Sequence, residues 1–85
     1  MHGEGTVTEL SIRGCTLETE TRLVEGALLQ MSFQPTSQDP SVEVEAAVVR
    51  SVRGSGAGLE FLRIQPQEKE SLRRVLMRLH AERRE

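Results

Sequence analysis

Apolar and polar positions alternate with a period of two along most of the chain, and only the C-terminal stretch changes to a helical period. Residues 6–12 are rich in β-branched side chains; Leu10 and Ile12 share one face, while Val7, Glu9 and Ser11 share the other. This pattern predicts a strand with one buried face. Gly14 interrupts it, and residues 15–21 resume the alternation as a second strand. Glu25-Gly26 signals a turn, after which residues 27–33 place Leu29, Met31 and Phe33 together as a third strand. Residues 34–41 contain Pro35 and Pro40 and little that is apolar, which predicts a surface loop. Val42, Val44, Ala46 and Val48 then alternate with polar or small residues until Val48-Val49 breaks the phase, which predicts a bulge or a stretch covered on both faces. Gly-rich residues 53–58 predict a turn, and residues 59–64 a last strand.

From Pro66 the period changes. Leu72, Val75, Leu76 and Leu79 fall at i, i+3, i+4 and i+7, the stripe of an amphipathic helix over residues 66–83. Pro66 suits the first helical position, and Glu68 complements the dipole of the first turn. The expected fold is mainly β: a small antiparallel barrel or half-barrel of short strands across residues 6–64, lidded by one C-terminal helix. Residues 1–5, polar and Gly-containing, are expected to form an unpacked stub.

At 85 residues the chain has room for one domain with a modest core, built almost without aromatics because Phe33 and Phe61 are the only ones. The net charge is -2, which demands neither a nucleic-acid polymer nor a membrane as partner. Arg73, Arg74 and Arg78 are expected to stay wet on the helix, with Glu70 placed to pair with the first two. No apolar stretch approaches the ~20 residues of a membrane span and no leader pattern opens the chain, so a cytoplasmic location is expected. Cys15 is alone and reads as a small core residue. Asp39 lies in the proline loop, and His2 and His80 lie at opposite ends of the chain, so no triad or metal cluster is legible; a non-enzymatic protein without metal or cofactor is expected.

Glu9-Leu10-Ser11-Ile12-Arg13-Gly14, followed by alternating strands, the Val48-Val49-Arg50 strand, and Gly58-Leu59-Glu60-Phe61 before a C-terminal helix, resembles the PilZ domain family. In that family an acidic or amide residue precedes Ser by two positions and Gly by five; Glu9, Ser11 and Gly14 occupy those positions. The resemblance implies a six-stranded, helix-capped barrel spanning the single domain 1–85, and a bacterial signalling module of the cyclic di-GMP receptor class. It makes Glu9, Ser11, Gly14 and Arg13 the candidate ligand-binding residues: a carboxylate can accept from a guanine N–H pair and a hydroxyl can donate to phosphate. The family's Arg-x-x-x-Arg motif has no counterpart before Glu9, and Arg74-Val75-Leu76-Met77-Arg78 has its spacing only within the helix. These departures imply weak or lost nucleotide binding. The alternative is an interaction module of the same fold that binds no nucleotide and acts through its barrel edge or helix. Because only five strands are legible, an exposed edge is expected to favour a homo-oligomer.

Overall fold

Each alternating segment becomes a strand, and the helical stripe becomes a helix. The computed structural model describes residues 3–82. In chain order the elements are β1 (Gly5–Leu10), β2 (Gly14–Thr19), β3 (Leu28–Phe33), β4 (Val42–Arg53), β5 (Gly56–Arg63) and α1 (Pro66–Glu82). Met1 and His2 of the expected stub, and the expected last helical residue Arg83, lie outside the described residues. Gly5 already belongs to β1, and the Glu4 carbonyl accepts the Thr19 hydroxyl at 2.6 Å, so the ordered chain begins earlier than its composition suggests. The glycine-rich turn is also shorter than expected. It consists of Gly54-Ser55 alone, with Gly54 at φ +58 and Arg53 paired with Gly56, so that Gly56-Ala57-Gly58 opens β5.

The five strands form one antiparallel sheet in the order β1-β2-β5-β4-β3. Irregularities bend it. Thr8 is an extra residue on β1, Arg50 on β4 and Leu62 on β5. The break of phase at Val48-Val49 therefore does mark a bulge, one residue further on. Bulges increase local twist, and the sheet curls into a half-barrel. Val7 and Leu10 of edge strand β1, and Leu29 and Met31 of edge strand β3, all pack against both buried clusters of the core. The first cluster joins Phe33, Val42, Val44 and Ala47 to Leu72 of α1; the second joins Cys15, Val49, Ala57 and Leu59. Leu23, in the connection from β2 to β3, packs against the second. Burial pushes the Cys15 thiol up to about 11, so it stays protonated and inert at neutral pH.

The helix covers the first cluster with its predicted stripe: Leu72 is fully buried, Val75 is buried, and Leu76 packs against the cluster. Its first turn is tied to β4, because the Glu43 N–H donates to Glu68 Oε1 at 2.9 Å. Glu70 meets Arg73 at 3.2 Å and Arg74 at 3.9 Å, the ion-paired outer face the spacing predicts. Arg78 corrects the expectation that it stays wet. Its two terminal nitrogens donate to Oδ1 and Oδ2 of Asp39, each at 2.8 Å, and Asp39 is only 7% exposed. The Thr36 hydroxyl donates to Asp39 Oδ2 at 2.6 Å and Gln34 Nε2 to the Asp39 carbonyl at 2.7 Å. The proline loop is thus held against the helix by a forked, charge-assisted pair, which a carboxylate needs if it is to be taken out of water.

Two outcomes follow from this packing. Leu72→Ala removes a fully buried side chain and is expected to cost about 2–5 kcal/mol, whereas Leu28→Ala, at a residue 68% exposed, is expected to cost under about 0.5 kcal/mol; urea unfolding measures both. The Arg78 and Thr36 bonds hold the Asp39 carboxyl down from 3.8 to about 2. Its contribution to stability is complete above its unfolded value and disappears as pH falls from about 4 towards 2. Melting of wild type and Arg78→Ala should accordingly differ by a constant amount above about pH 5 and converge progressively as pH falls from about 4 towards 2.

Candidate functional site

The Glu9-to-Gly14 segment turns β1 into β2. Because Thr8 is bulged, the face expected to carry Val7, Glu9 and Ser11 together is split: Val7 turns inward with Leu10 and Ile12, and Glu9 turns outward opposite Thr16. A period-two reading cannot see this, since one extra residue reverses every side chain beyond it. Ser11 and Ile12 are also not strand residues, as β1 ends at Leu10.

The polar groups of the segment bond within the chain. Glu9 Oε1 accepts the Thr16 hydroxyl at 3.2 Å. Ser11 Oγ accepts the Arg13 N–H at 3.2 Å and donates to the Gly14 carbonyl at 3.3 Å, while the Ser11 N–H donates to that carbonyl at 2.9 Å. Such local bonds are what make Ser a turn residue. The Arg13 carbonyl in turn accepts the Phe61 N–H at 2.8 Å, fastening the reversal to β5. Gly14 does not adopt a positive φ; what the site requires of it is the missing side chain, because a Cβ there would overlap the carbonyl oxygen of Leu59.

Of the four candidate residues the structure brings Arg13 alone into a cleft. This cleft, of about 530 Å3, runs between the β1–β2 reversal, the end of β5 and the first turn of α1, and is lined by Ile12, Arg13, Glu60, Leu62, Arg63 and Lys69 among others. Among the described residues Arg13, Arg63 and Lys69 take part in no ion pair, and the one carboxylate of the cleft, Glu60, is held by Arg50 at 2.6 Å. Arg63 and Lys69 are absent from the sequence reading because nothing in their spacing ties them to Arg13, some fifty residues away; the pairing of Gly14 with Glu60 does. Among the described residues no group of three or more His, Cys, Asp or Glu could hold a metal ion.

Gly14→Ala is expected to force β2 and β5 apart at Leu59 and cost about 1–3 kcal/mol, read by thermal melting, with faster amide exchange along β5 than at β3.

A comparison with curated proteins gives no sequence match. The family model of the PilZ domain matches residues 2–78, nearly the whole chain, including the reversal, all five strands and the buried face of the helix. This chain belongs to the PilZ domain family.

Proposed function

We propose that the chain is a non-enzymatic signalling module of the cyclic di-GMP receptor class whose own residues hold the dinucleotide weakly or not at all. Membership of the family supports the class. The observation that carries the weakness is the engagement of the motif within the fold: the Ser11 hydroxyl is bonded on both sides inside its turn, and the Glu9 carboxylate is bonded by Thr16. The 85 residues place no Arg or Lys before Arg13. An unaided carboxylate at Glu9 repels the phosphates of the ligand. The two phenylalanine rings, Phe33 and Phe61, stack on each other with centroids 6.1 Å apart, which leaves at most one face of each for a base to stack on.

The second reading, an interaction module of the same fold that binds no nucleotide, is favoured by the exposed basic cleft, whose Arg13, Arg63 and Lys69 have no carboxylate partner among the described residues. No helix among the described residues is long and apolar enough to cross a membrane.

Two missing charge-assisted arginine contacts, at roughly 1.5–3 kcal/mol each, move a micromolar binder towards millimolar. Titration calorimetry of the 85-residue chain with cyclic di-GMP is therefore expected to give a Kd weaker than about 100 μM. A low-micromolar Kd overturns the proposal.

A further inference from the structure

The half-barrel has two unlike ends. Along the β2–β5 ladder, Gly14 faces Glu60 at one end and Glu18 faces Gly56 at the other. The first end carries the cleft with Arg13, Arg63 and Lys69, none of them in an ion pair among the described residues, around apolar walls that include Ile12 and Leu62, the latter 51% exposed. The second end carries the β2–β3 connection, where Val24 is 65% exposed between Glu20 and Glu25. There Glu4, Glu18, Glu20 and Glu25 outnumber Arg22 and Arg53. Each end thus presents an exposed aliphatic residue set among charges predominantly of one sign, and the predominant signs are opposite.

The geometry points to a second copy of this chain as the occupant of the cleft: residues 20–25 of one molecule, with Val24 against the apolar wall and Glu20 and Glu25 facing Arg13, Arg63 and Lys69 of the next. Charge complementarity selects this partner, and the exposed Val24 and Leu62 supply apolar burial that rim charges alone lack. The contact joins different surfaces of the two molecules, so it does not close on itself and leaves a free acidic end and a free basic end after every addition. It differs in this from pairing of the edge strands β1 or β3, which would join like surfaces into a closed dimer. It holds whether or not the chain binds a nucleotide.

Analytical ultracentrifugation of the whole chain tests it. The wild type at low salt is expected to grow past a dimer as its concentration rises, with association at least about tenfold weaker in 0.5 M NaCl, where the screening length falls to a few ångströms. Arg63→Glu with Lys69→Glu, and separately Glu20→Arg with Glu25→Arg, alter exposed residues and should each give a folded monomer. Mixed one to one, the two variants should associate again, because each reversed end meets its complement. A wild type that stays monomeric at about 1 mM, a wild type that stops at a dimer, variants that associate like the wild type, or a mixture that stays monomeric each overturns the inference.

Discussion

The β2–β5 ladder is the seam on which the rest of the molecule depends. Every other strand pair in the sheet joins neighbours in sequence: β1 with β2, β3 with β4, β4 with β5. Without β2 against β5 the chain would be a hairpin and a separate three-stranded meander, each with an unburied apolar face. A two-stranded hairpin is at best marginally stable in water. The seam starts at Gly14, where the backbones approach so closely that no side chain fits between them, and is fastened there by the Phe61 N–H on the Arg13 carbonyl. From that point five register pairs run to Glu18 and Gly56, bringing Cys15 and Leu17 beside Ala57 and Leu59 and so assembling the second cluster of the core.

The motif that marks the family is therefore, in this chain, first a joint. Ser11 shapes the reversal, Gly14 admits β5, and Glu9 stands outside against Thr16. A structural role and a ligand role are not exclusive in a reversal exposed at the end of a barrel, yet the hydrogen bonds already made reduce what the residues have left to offer. What the joint does create is proximity. It carries Arg13 to the end of β5 and the start of α1, where Arg63 and Lys69 complete a basic rim around apolar walls.

A second long-range tie complements the seam. Asp39 and Arg78 connect the proline loop to the last turns of the helix, so that the lid is fixed at both ends, by Glu68 on β4 and by Arg78 on the loop. The stripe of Leu72, Val75 and Leu76 supplies the apolar contact between them. A domain of this size buries little apolar area, and a directional pair at each end of the helix restricts how that area can be arranged.

Local pattern alone determined the kinds and order of the elements: alternation marks strands, the 3.6-residue stripe marks the helix, and the Val48-Val49 phase break marks an irregularity in β4, left open between a bulge and burial on both faces. The spacing of Glu9, Ser11 and Gly14 was equally legible as a family signature, because it is contained within six residues. Tertiary structure decided what period and spacing cannot encode. Thr8 bulges because β1 must pair with β2 over a curled sheet, and that single residue sends Val7 inward and separates it from Glu9. Asp39, polar and flanked by loop residues, is buried because Arg78 arrives from thirty-nine residues away to neutralise it. Arg63 and Lys69 join Arg13 only through the β2–β5 register. In each case the deciding partner is distant in sequence, and its energy is available only once the chain has closed on itself.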